Sequence, residues 1–114
     1  MKINQFEVWI ANLDPQIGTE SGKTRPVLIV QTDLLNKFHP STLICPITTK
    51  VQIKSNLLRV HLKIGDGNLT KQSDVMIDQI RSIDNRRLLK RMGKIPDEKV
   101  KQVKRNIKLI FDVE

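Results

Sequence analysis

Three short polar motifs, each beside an apolar run, hold the side chains best suited to phosphate chemistry. The first is the loop Asp14-Pro15-Gln16-Ile17-Gly18-Thr19-Glu20-Ser21-Gly22-Lys23-Thr24, which leads into Arg25-Pro26 and the apolar Val27-Leu28-Ile29-Val30. The second is Pro46-Ile47-Thr48-Thr49, and the third is Asp78-Gln79-Ile80-Arg81-Ser82-Ile83-Asp84. Arg25 stands where a glycine-containing loop becomes a buried run, so its guanidinium has a rigid base. Its planar donor fork fits phosphate oxygens and stays charged at any working pH. Position alone equally allows a surface arginine paired with Asp14 or Glu20. Thr48 can donate its hydroxyl to a non-bridging phosphate oxygen, or satisfy backbone at a strand end as threonines commonly do. Asp78-Gln79 follows the apolar Val75-Met76-Ile77. A carboxamide there can read base edges, and Asp78 can orient a basic group or accept from a base amino group. The alternative is a turn held by Asp78, with Arg81 as an exposed neighbour. In this order, and in a chain of 114 residues, the motifs indicate a site that handles a phosphodiester.

Other chemistries find less support. His61 falls on the outer face of an alternating run, and His39 precedes a proline in a turn, so neither reads as a catalytic base. No His, Cys and Asp cluster has metal-ligand spacing, and there is no Walker loop or serine elbow. Asp84-Asn85-Arg86-Arg87 reads as a capped turn with a solvated basic cluster. Twenty Lys plus Arg against twelve Asp plus Glu leave a formal charge of +8. That excess favours a polyanionic partner through counterion release, or serves solubility alone. No apolar run approaches the roughly 20 residues that span a bilayer, and the N-terminus lacks a secretory h-region. The lone Cys45 lies in an apolar run, which reads as a small core residue in a reduced, cytoplasmic setting. Residues 1–114 are expected to form one domain.

These motifs need elements to position them. Residues 6–13 place Phe6, Val8 and Ile10 on one face, the period-two mark of a strand, with Trp9 opposite. Further strands are expected over residues 25–32, with Pro26 at the start, and over 41–48. Between them Asp33 is expected to cap a helical turn through Phe38. Leu58, Val60, Leu62 and Ile64 alternate with Arg59, His61 and Lys63, a half-exposed strand closed by Gly65-Asp66-Gly67-Asn68. Short strands at 73–77 and 88–95 follow. Residues 97–112 place Val100, Val103, Ile107, Ile110 and Phe111 on one helical stripe, behind Pro96 and the acidic Asp97 and Glu98. Its lysine-rich outer face reads as solvated, and Leu109 falls outside the stripe. Short strands with turn signals and one late helix indicate a mainly β protein, a small antiparallel β-barrel with a C-terminal α-helix.

The ordered set Asp14-Pro15, Gly18-Thr19-Glu20, Arg25-Pro26 with its strand, Pro46-Ile47-Thr48 and the run from Asp78 to Asp84 resembles the MazF/PemK (Kid-like) toxins of type II toxin–antitoxin systems. The resemblance covers nearly the whole chain. It implies an SH3-like barrel, a homodimer, and sequence-specific endoribonuclease activity on single-stranded RNA, messenger RNA foremost. It also implies that no metal or other cofactor is used, and that a cognate antitoxin lays an acidic tail along the basic groove and with the toxin binds DNA. By position, Arg25 and Thr48 match the two principal catalytic residues and Glu20 an acidic loop position that contributes in some members. Asp78, Gln79 and Arg81 match a segment lining the RNA path, with Lys23 and Thr49 counted beside them. Ile17 and Ser21 vary the loop, and residues 50–56 match no pattern of the family.

Metal-free RNA cleavage uses the ribose 2′-OH as nucleophile and leaves a 2′,3′-cyclic phosphate and a 5′-OH. It requires a base, an acid and charge stabilisation at phosphorus. Arg25 suits the third role, Glu20 is the ordinary base, and Thr48 holds a phosphate oxygen. Two other classes share the architecture: toxins of the CcdB type, which poison gyrase by contact, and basic barrels that bind RNA without cutting it. The first depends on a terminal Trp-Gly-Ile, whereas this chain ends Phe111-Asp112-Val113-Glu114 with its one Trp at position 9.

Overall fold

The computed structural model describes residues 1–20 and 22–114. Ser21, part of the loop read above, lies outside them. Among the described residues the strands are β1 (Glu7–Asn12), β2 (Thr24–Ile29), β3 (Ser41–Thr48), β4 (Arg59–Leu62), β5 (Ser73–Met76), β6 (Arg81–Asp84) and β7 (Leu88–Lys94). A one-turn helix α1 (Asp33–Asn36) and a closing helix α2 (Asp97–Phe111) complete the fold. The ladder is antiparallel and runs β4-β5-β3-β2-β1-β7. Strand β3 is its hub. One edge pairs with β2, while the other is shared by β6, along Ser41 to Ile44, and β5, at Ile47 and Thr48.

The β architecture with a C-terminal helix is as the sequence indicates, but the ladder does not close into a barrel: β4 and β7 remain its ends. The tight turn over residues 65–68 stands against β7. Asn68 Nδ2 donates to the Met92 carbonyl at 2.6 Å. Gly67 lets that turn lie close, since it sits at φ +57 and a Cβ would come within 2.4 Å of Val8 Cγ2.

The central strands are buried on both faces. One cluster joins Phe6, Val8, Leu28, Cys45, Ile47, Val60 and Val75 to Val103 of α2, with Val100, Ile107 and Ile110 packed against it. The other holds Ile3, Trp9, Ala11, Val27, Ile29, Ile44, Ile83 and Leu88. Double burial explains why β2 and β3 read as continuous apolar runs rather than alternating ones. Trp9 faces away from Val8 as expected. Ile10 is only half-buried and is not among the residues of the core cluster that Phe6 and Val8 join; the two register shifts of the β1–β7 pairing take up their extra residues, Met92 and Leu89, in β7. One acid enters this apolar region. Glu7 is only 4% exposed; it accepts from Asn4 N at 2.8 Å and Trp9 Nε1 at 3.1 Å, and pairs with Arg91.

Several boundaries differ from expectation for local reasons. Strand β2 stops at Ile29 because the Val30 and Gln31 amides both turn to the Leu43 carbonyl, at 3.1 and 3.3 Å. Thr32, not Asp33, caps α1, its hydroxyl accepting from Leu34 N at 3.3 Å. Leu58 and Ile64 lie outside β4 and are exposed, as are Phe111 and Leu109 on α2. The largest revision is β6, a segment to which the sequence reading assigned no strand and which is found paired with β3. No helix among the described residues is long and apolar enough to cross a membrane.

Candidate active site

Arg25 is the second residue of β2, half-buried, where the β1–β2 loop rejoins the sheet. The loop converges at its base: Leu13 N donates to the Lys23 carbonyl at 2.8 Å and Lys23 N to Asp14 Oδ1 at 2.5 Å. Gly22 sits so close to the opposite limb that a Cβ would fall 2.5 Å from that of Gln16. Arg87, read from sequence as part of a solvated cluster, fastens the same base. Its Nη1 donates to the carbonyls of Asn12 at 3.1 Å and Asp14 at 2.5 Å. Arg25 Nε in turn donates to the Gly22 carbonyl at 3.0 Å, which leaves the two Nη groups as a fork. Among the described residues Arg25 forms no ion pair with Asp14 or Glu20.

Thr48 ends β3 beside this arginine. Its Oγ1 accepts from Lys50 N at 3.1 Å. With the lone pair so engaged, the hydroxyl proton is left to donate. A cavity of about 260 Å³ is lined by Lys23, Thr24, Arg25, Thr48, Thr49 and Lys50, among others. Lys23, Arg25 and Lys50 make its wall cationic. It is a cradle for an anion with a fork on one strand and a hydroxyl on the next.

The remaining expected residues gather in a second cleft of about 220 Å³, lined by Thr19, Glu20, Asp78, Gln79, Ile80 and Arg81. One loop serves both clefts, Thr19 and Glu20 on one and Lys23 to Arg25 on the other. Glu20 therefore stands with the Asp78–Arg81 segment rather than beside Thr48. Asp78 is exposed at the single turn between β5 and β6. Its charge, after burial itself, raises the pKa of the Cys45 thiol well above the ordinary range. Asp84 caps the next turn, accepting from Arg86 N at 2.8 Å, and the Arg86 guanidinium holds its pKa down at about 2. That capped turn is as the sequence suggests.

A third group was not foreseen. Asp74 on β5 is 0% exposed, and its carboxylate accepts from Gln52 N at 2.8 Å and Arg59 Nη1 at 3.0 Å, with His61 Nδ1 at 2.6 Å. Thr48, Asp74 and His61 lie in register across β3, β5 and β4. His61 is thus a partnered side chain, not the outward surface histidine read from alternation. Only the pairing register brings these residues together, and the sequence carries no signal of it. Among the described residues no three His, Cys, Asp or Glu side chains converge as metal ligands.

The fold and clefts define a small antiparallel β protein with a cationic cavity at the ends of two neighbouring strands. The profile of the "PemK-like, MazF-like toxin of type II toxin-antitoxin system" family matches residues 4–111, and the chain belongs to that family. It is 31% identical over 103 residues to Endoribonuclease EndoA of Bacillus subtilis (strain 168), covering 90% of this chain and 89% of that protein. Among solved structures, MazF of Deinococcus radiodurans superposes with a TM-score of 0.84 at 23% identity, over 99% of both chains. A MazE-MazF structure from the same organism gives 0.81 at 21% identity, over 100% of both. At these identities the structural likeness speaks for the fold.

Proposed function

We propose that the endoribonuclease activity of this toxin is metal-independent, sequence-specific cleavage of single-stranded RNA, messenger RNA foremost, centred on Arg25 and Thr48. The 2′-OH attacks the adjacent phosphorus, its proton passing to a base, and the bond to the 5′-oxygen breaks as that oxygen takes a proton. The products are a 2′,3′-cyclic phosphate and a 5′-OH end. The Arg25 fork takes the charge that develops on the non-bridging oxygens, and the Thr48 hydroxyl donates to one of them. Glu20 takes the 2′-OH proton when the loop folds over bound RNA. Asp78, Gln79 and Arg81 read the bases in the second cleft, while Lys23 and Thr49 steady the backbone. The observation that carries this reading is the convergence of Arg25 and Thr48 on one cationic cavity, each oriented by a backbone hydrogen bond.

Membership of a toxin–antitoxin family, together with the charge of +8, supports a cognate antitoxin whose acidic tail lies along the same groove. A homodimer in the cytoplasm completes the proposal. The test is incubation of the purified protein with a long single-stranded RNA in EDTA, followed by end mapping, beside Arg25→Ala. Discrete cuts with 5′-OH ends, lost in the variant, are expected. Full cleavage by a correctly folded Arg25→Ala protein would overturn the assignment.

A further inference from the structure

The segment between Thr48 and β4 pairs with no strand, yet it is held at almost every step. Lys50 N donates to Thr48 Oγ1 at 3.1 Å, and the Lys50 carbonyl accepts from Arg59 Nη1 at 3.1 Å. Gln52 N donates to Asp74 and Ser55 N to the Gln52 carbonyl, at 2.8 and 2.9 Å. At the far end the Asn56 amide meets His61 Nε2 at 3.1 Å, and its carbonyl accepts from Asn106 Nδ2 of α2, also at 3.1 Å. Three of these ties run through the buried Asp74 or its partners Arg59 and His61. A carboxylate buried among three donors ties the loop to β4 and β5, since losing a donor leaves a buried acceptor short of a partner. The loop is therefore a rigid wall, built at some cost in desolvation.

That wall encloses a cavity of about 200 Å³ with β4 and the start of α2. Val51, Ile53 and Leu62 supply an apolar surface, and Lys63 and Lys99 stand at the same cavity with His61. Val51 and Ile53 are exposed apolar side chains. Consecutive residues line the two cavities, Lys50 the one at Arg25 and Thr48 and Val51 this one. An apolar slot flanked by two cations suits one nucleotide, a base on the apolar wall and a phosphate between the lysines.

We propose that this cavity is a second nucleotide subsite, holding an RNA residue that flanks the scissile step on the Thr48 side. It rests on the function proposed above. The wall is formed by residues 50–56, so the subsite also supplies a sequence preference particular to this chain.

The test begins with the cleavage site mapped on wild-type protein. Two RNAs carry that site with a 2′-deoxy block at the cut: a core spanning only the scissile step, and one extended by about six nucleotides at both ends. Dissociation constants are measured by fluorescence anisotropy across a salt series. Wild type is expected to bind the extended RNA about tenfold more tightly, and Lys63→Glu/Lys99→Glu to lose that advantage. The salt slope on the extended RNA should fall by about 0.7, for one phosphate no longer neutralised on a single strand. Lys63→Arg/Lys99→Arg should keep the advantage, as should Lys101→Glu/Lys108→Glu, which makes the same charge change on the outer face of α2. Equal weakening on both RNAs, no weakening, or a loss confined to binding of an acidic antitoxin peptide would each overturn the subsite. A wild-type protein that cuts no RNA would instead overturn the function it rests on.

Discussion

Replacing Arg25 by lysine separates charge from geometry at the proposed scissile phosphate site. Arg25 reaches the cavity as a fork with one arm tied, Nε donating to the Gly22 carbonyl at 3.0 Å. Lysine keeps the positive charge but loses that tie and one of two parallel bonds to the phosphate. A hydrogen bond to a charged group contributes about 1.5–3 kcal/mol, and a neutral one such as the Gly22 tie about 1 kcal/mol. At about 1.4 kcal/mol per tenfold, the Arg25→Lys protein should cleave roughly 10² to 10³ times more slowly. Removal of a single oxyanion donor elsewhere has an effect of similar size. The assay is single-turnover cleavage of end-labelled RNA at saturating enzyme, with circular dichroism and urea unfolding to confirm an intact fold. Arg25→Ala, which removes the charge as well, should be slower still. A lysine variant within about threefold of wild type would show that a point charge suffices, and the fork argument would fail.

Two further substitutions probe the scaffold. Burial alone would raise the pKa of Glu7, but the bonds from Arg91, Asn4 and Trp9 outweigh it and hold the carboxyl below its ordinary 4.5. A depressed folded value means stability that is present above the unfolded pKa and lost as pH falls through the folded one. Glu7→Gln should therefore cost about 1.5–3 kcal/mol in urea unfolding at pH 7, with the gap to wild type narrowing below pH 4.5; an equal gap at pH 7 and pH 3.5 would contradict it. Gly67→Ala meets both a positive φ and the Val8 side chain. Its thermal midpoint should drop by on the order of 10 °C, and an unchanged midpoint would mean the turn can move away at little cost.

Strand ends were the legible part of the site. A buried run that begins at Arg25-Pro26 and another that closes on Thr48 place two side chains at neighbouring margins of one sheet, and periodicity finds such margins. Strand β6 was hidden because its four residues hold one fully buried side chain, Ile83, among polar ones. That pattern is too short to distinguish a strand from a turn, and pairing with β3 decides it. Glu7 and Asp74 were illegible for another reason. An acid inside a strand looks like a solvent-facing position until its partners are known, and Arg91 lies 84 residues away from Glu7 in sequence. The helix stripe was read well, except that Phe111 lies exposed at its last turn.

The pairing of β1 with β7 links residues 7–11 to residues 88–94. During synthesis the first strand must therefore wait for nearly the last part of the sheet, and α2, which covers one core cluster, emerges later still. At typical elongation rates the interval is on the order of ten seconds. Until it ends, the strands carrying Arg25 and Thr48 lack a finished sheet to hold them. A ribonuclease wired this way gains its activity only once residues 88–111 have followed, well after the segments that carry Arg25 and Thr48 have left the ribosome.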